Sequence, residues 1–167
     1  MDPTRRRLLA GMAMSGGLAL WGRSAMAQTL GNLVESPAFL VPPFQLGIAS
    51  GDPAADGFVL WTRLAPEPLA PNGGMIMAPV RVQWEVAEDE GFKTLAAKGD
   101  AIAHPELAHA VHVEVTGLRP DRPYWYRFHC GNERSLAGRS RTLPLPGAPT
   151  DRARFVVAGC QNYEQGL

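Results

Sequence analysis

Between Phe44 and Leu143, apolar and polar residues take turns along much of the chain, the period-two signature of strands with one dry and one wet face. The clearest run sets Val80, Val82, Trp84 and Val86 against Arg81, Gln83 and Glu85. Val111, Val113 and Val115 alternate in the same way with His112, Glu114 and Thr116, and Tyr124, Tyr126 and Phe128 with Trp125, Arg127 and His129. Phe44 to Ile48 and Phe58 to Leu64 supply two earlier strands, the first closed by the turn cluster Ser50-Gly51-Asp52-Pro53. Glu88-Asp89-Glu90-Gly91 reads as a turn into a weaker returning strand over Phe92 to Gly99, and Ser135 to Leu143 gives the last strand. About seven short strands separated by turn signals predict an all-β chain, an antiparallel β-sandwich over residues 44–143 with no helix.

Two aromatic positions acquire structural roles from this pattern. Leu118-x-Pro120 followed by Tyr124 matches the corner of immunoglobulin-like and fibronectin-like sandwiches, where a tyrosine hydroxyl bonds back to the upstream backbone. Trp84 falls on the apolar side of its strand and is expected to point inward.

After Leu143 the pattern changes. Pro144 to Pro149 forms a stiff linker within residues 144–152, and Phe155 to Ala158 is continuously apolar, as in a strand covered on both faces. Residues 153–167 therefore read as the opening of a second domain with a different kind of sheet. Open α/β sheets place ligands at the carboxyl ends of such strands, where this chain has Cys160, followed by Gln161, Asn162 and Tyr163. On these grounds alone Cys160 is either an inert packing residue or a thiolate ligand or nucleophile. The expectation is a chain that carries only the start of that second domain.

The amino terminus is read separately. Thr4-Arg5-Arg6-Arg7-Leu8-Leu9 precedes a Gly-rich apolar segment to about Trp21, then Ala25-Met26-Ala27, a small-x-small cleavage pattern. Residues 1–27 are thus an export signal. Its paired arginines, Arg5 and Arg6, fit the twin-arginine route, and its apolar part is too short to span a bilayer comfortably. The export machinery is one expected partner, the membrane is met only transiently through the signal, and the destination is periplasmic or extracellular. Residues 28–43 follow as an extended leader with three prolines.

Charge narrows the function classes. The chain is formally neutral, with 16 basic and 16 acidic residues; removing the signal's four arginines and one aspartate leaves a slightly acidic remainder. No electrostatic footprint for nucleic acid results. The four histidines do not read as a metal site: His109 and His112 point to opposite faces of a strand and are expected at the surface. His112 and His129 lie on polar faces and could neighbour each other across a sheet. Ser50 and Ser135 lack a recognisable base partner. The two cysteines, Cys130 and Cys160, sit in different domains and are not expected to pair.

Several ordered segments resemble the amino-terminal region of the alkaline phosphatase D (PhoD-like) family. They are Gly47-Ile48-Ala49-Ser50-Gly51-Asp52-Pro53, Val59-Leu60-Trp61-Thr62-Arg63-Leu64, Val82-x-Trp84-Glu85-Val86-Ala87, His112 to Leu118, and Pro123 to Phe128. The resemblance implies a twin-arginine signal, a fibronectin-like domain and then an α/β metallophosphoesterase domain whose first strand ends in a segment like Cys160-Gln161. It also implies hydrolysis of phosphate mono- or diesters with iron and calcium, Cys160 being an iron ligand. In such a centre the metals polarise the phosphoryl group and acidify an attacking water. The other ligands belong to segments beyond Leu167, so the chain by itself is expected to hold neither metal stably and to be catalytically silent, with no catalytic residue assigned within it. The alternative, from a different class, is a stand-alone sandwich acting as a binding module or spacer.

Overall fold

The computed structural model describes residues 33–149 together with Arg152, Val157 and Gly159. Among the described residues there are eight strands: β1 (Ile48–Gly51), β2 (Phe58–Arg63), β3 (Val80–Ala87), β4 (Leu95–Ala103), β5 (Ala110–Val115), β6 (Pro123–Cys130), β7 (Glu133–Arg134) and β8 (Gly138–Arg141). Two single 3-10 turns, Pro71–Gly74 and Pro105–Leu107, are the helical segments among the described residues.

The strands form two antiparallel sheets. One has the order β1-β2-β5; the other has β4-β3-β6, with β7 and β8 both pairing the far edge of β6. The fourth strand hydrogen-bonds to the third and leaves the first sheet with three strands, the partition of a fibronectin-like sandwich.

Alternation fixes which face each strand buries. Phe58, Leu60 and Thr62 of β2 and Val111, Val113 and Val115 of β5 oppose Val80, Val82 and Val86 of β3 and Tyr124, Tyr126, Phe128 and Cys130 of β6. Burying each large side chain contributes about 1.5–3 kcal/mol, so this two-sided set is the main favourable term. Thr62, the polar member of the inner face, is fully buried and donates its hydroxyl to the Gly47 carbonyl at 3.0 Å.

Several strand limits differ from the sequence expectation, the returning strand for one running on to Ala103 rather than Gly99, and three of the differences have a local reason. The first strand starts at Ile48 because Gly47 has φ 75, a left-handed bend that ends the segment from Phe44; Ser50 and Gly51, expected in a turn, belong to the strand. The returning strand starts at Leu95 because Phe92 also has positive φ and Asp89 accepts bonds from the Lys93 and Thr94 amides, extending the turn. The last strand, expected over Ser135 to Leu143, is confined to Gly138–Arg141, with Glu133–Arg134 pairing ahead of it; between the two, Ser135 takes the Phe128 amide on its side-chain oxygen at 2.9 Å.

Candidate functional site

Tyr124 is nearly fully buried, and its hydroxyl accepts the Arg119 amide at 2.9 Å. This is the corner geometry, and its neighbours extend it. Thr142 donates its hydroxyl to the Arg119 carbonyl at 2.8 Å, and the Leu143 amide donates to Ala54 at 2.8 Å. Glu88 pairs with Arg119 and, at 3.8 Å, with Arg122, while Arg141 pairs with Asp121 at 2.7 Å. The point where the chain leaves for the proline-rich linker is thus tied to three loops.

Trp84 points inward as expected and packs against the core, but it is half-buried rather than fully enclosed. Its strand neighbour in β4 is Gly99, and the indole lies over that position so closely that a Cβ there would sit 2.7 Å from Cζ2. The ring covers the small edge of the sandwich and leaves part of itself in solvent.

Two histidine expectations are overturned. His109 is fully buried, not a surface residue, because it precedes β5 in a left-handed conformation (φ 56) that turns its ring inward. Its Nε2 lies 3.1 Å from the Ala78 carbonyl, and its buried Nδ1 has no protein partner among the described residues. His112 and His129 are on different sheets, β5 and β6, so they cannot be cross-strand neighbours. His112 is exposed opposite Trp61, whereas His129 lies 3.2 Å from a Glu85 oxygen.

Glu85, Arg127 and His129 form the most organised polar group on the outer face of the larger sheet. Arg127 Nε donates to Glu85 Oε2 at 2.8 Å, and its guanidinium sits 3.9 Å from the centre of the Phe92 ring. Burial works against the carboxylate's charge, but hydrogen bonds from Arg127 and His129 outweigh it and hold Glu85 below the ordinary glutamate range. Sequence reading placed these residues on a solvated face and missed their association; the signal was opposite charge at positions 85 and 127 of strands now seen to be register partners. A shallow groove of about 460 Å³ runs beside them, lined by Gln83, Glu85, Lys98, Asp100 and His129. Glu85 is already engaged by Arg127 and His129, so the group reads as a structural clamp.

Cys130 makes no reactive site. It is a free thiol facing the core, its sulfur 3.5 Å from the Arg81 carbonyl, and burial pushes it up to about 12. It therefore stays protonated and inert. Ser135, buried on the Phe128 backbone, likewise has no base partner. Cys160 and the signal residues Arg5, Arg6, Ala25 and Ala27 lie outside the described residues. Among the described residues no three His, Cys, Asp or Glu side chains are grouped to hold a metal ion. They do not fit an iron and calcium centre.

Comparison with known proteins supplies what the geometry lacks. The family described as PhoD-like phosphatase, N-terminal domain, matches residues 27–144. Alkaline phosphatase D of Bacillus subtilis (strain 168) is 48% identical over 164 residues, covering 97% of this chain and 28% of that protein. A solved structure described as that of PhoD is 54% identical with a TM-score of 0.67, covering 69% of this chain and 22% of the other. The chain thus spans little more than a quarter of the curated relative it matches.

Proposed function

The chain belongs to the PhoD-like phosphatase family, and from that premise we propose that it forms the amino-terminal part of an exported enzyme that hydrolyses phosphoric esters. The observation that carries this reading is the extent of the match. A share of 97% leaves too few residues unmatched to exclude Cys160, so the similarity runs past the sandwich to the segment that holds this cysteine.

Division of labour follows from the chemistry. The sandwich contributes packing and a fixed exit for the linker, while Cys160 contributes one thiolate to an iron and calcium centre whose remaining ligands lie in downstream sequence. One soft ligand alone does not fix coordination number or charge, so the chain by itself lacks the means to activate water. Residues 1–27 direct the protein through the twin-arginine route to the cell exterior or periplasm.

The test is a paired assay with an aryl phosphate and added iron and calcium. A longer gene product carrying the downstream domain turns over the substrate and loses that activity with Cys160→Ala; this 167-residue chain shows none. Turnover by this chain, or an unchanged rate in the longer Cys160→Ala variant, contradicts the proposal.

A further inference from the structure

The nine-residue strand β4, Leu95–Ala103, hydrogen-bonds to β3 along one edge, and no strand among the described residues pairs with its other edge. A free edge is a template for another strand, and folded chains blunt it with proline, brevity, bulges or charge. β4 has no proline and is the longest strand; its register irregularity lies at one end, between Val86 and Ala87 of β3. Its only charges are Lys98 and Asp100, both exposed, and they flank Gly99 symmetrically. Leu95 and Ile102 also stand in solvent, 42% and 37% exposed.

We infer that a second copy of this chain pairs antiparallel with β4 about a two-fold axis at Gly99, joining the two larger sheets into one. In that register Lys98 of each copy faces Asp100 of the other, Ala97 faces Ala101, Ala96 faces Ile102, and Leu95 faces Ala103. The contact thus gains two opposite-charge pairs, one on each side of the axis. A slip of one residue turns every side chain to the wrong face, and a slip of two sets Lys98 against Lys98 or Asp100 against Asp100. The pair of charges that repels other partners therefore selects this one. A C2 contact of this kind is self-complementary and closed, so it ends at a dimer.

Trp84 gives the contact a second feature. The indole lies over Gly99, at the axis, and packs against the core with the rest of its surface in solvent in the single copy. Pairing brings the two indoles side by side on one face, removing that surface from water. The inference stands apart from the phosphatase reading, since it uses only the edge strand and its neighbour.

Sedimentation equilibrium of the full chain over rising concentration, with tryptophan emission recorded in parallel, tests it. The expected result is a monomer–dimer equilibrium with emission shifting to shorter wavelength as dimer forms. Lys98→Asp weakens association about tenfold by setting acid against acid at both ends of the axis, and adding Asp100→Lys restores it. Thermal melts of both variants guard against loss of fold. A monomer at every concentration, a dimer indifferent to Lys98→Asp, or no recovery in the double variant overturns the inference.

Discussion

The two ends of the sandwich are closed by different physics. At the end where the chain departs, Tyr124, Thr142 and Leu143 hold their neighbours through directional bonds, and Glu88 bridges two arginines. At the opposite end the leader lies across the core mainly on apolar contacts, with Pro37 against Gly131 and Phe39 and Phe44 packed on the cluster beneath. Among the described residues its polar ties are confined to the Val34 backbone bonds to Pro79 and Arg81, the Glu35–Arg81 pair at 2.8 Å and the Ala65 amide on the Pro43 carbonyl. Leu40, Leu69, Ile76 and Met77 stand exposed around it. Hydrogen bonds have preferred angles and apolar contacts do not, so the first end is built to fix a direction and the second to exclude water.

Breaking each end in turn sharpens this contrast. Gly131 has φ 59, and an added Cβ would lie 2.1 Å from the Pro37 carbonyl oxygen. Gly131→Ala is expected to cost about 3 kcal/mol and to peel the leader off, with amide exchange rising at Val34 and Arg81 while Arg119 stays protected. Tyr124→Phe keeps the ring and removes the acceptor for the Arg119 amide, costing about 2 kcal/mol and freeing the exit loop with the leader undisturbed. If both variants loosen the same amides, the two ends are not independent. Denaturant melts combined with amide exchange read both outcomes.

The third effect is smaller and lies between the ends. Glu85 has its carboxyl held below the ordinary value of 4.5, so its clamp stabilises the fold above that pH and is lost as pH falls through the lower, folded value. Melting temperature followed from neutral to acid pH falls more steeply in the native chain than in Glu85→Gln, by the equivalent of about 1 kcal/mol or less. Parallel profiles would remove Glu85 from the account.

What sequence pattern conveys, and what it does not, is visible in particular residues. Strict alternation located β3, β5 and β6 closely because burial of one face imposes a period of two on every side chain. Tyr124 was legible because its corner has a local spacing. His109 was not: its inward turn depends on a left-handed backbone at a non-glycine residue, which composition does not announce. Phe92 hid the start of β4 for the same reason. The partial exposure of Trp84 depends on Gly99 in the neighbouring strand, a tertiary fact absent from its own run. The Glu85 clamp required knowing which strands pair. Of the proposed reaction centre Cys160 alone was named from the sequence, since metal ligands are gathered from distant segments and carry no local spacing.

The sandwich is proposed to be chemically passive and the reaction centre to open at Cys160, and the two cysteines offer the sharpest comparison. Iron per chain, measured in the longer gene product after export, is predicted to survive Cys130→Ala and to be lost with Cys160→Ala. Iron retained without Cys160, or lost only when Cys130 is replaced, would contradict the proposal.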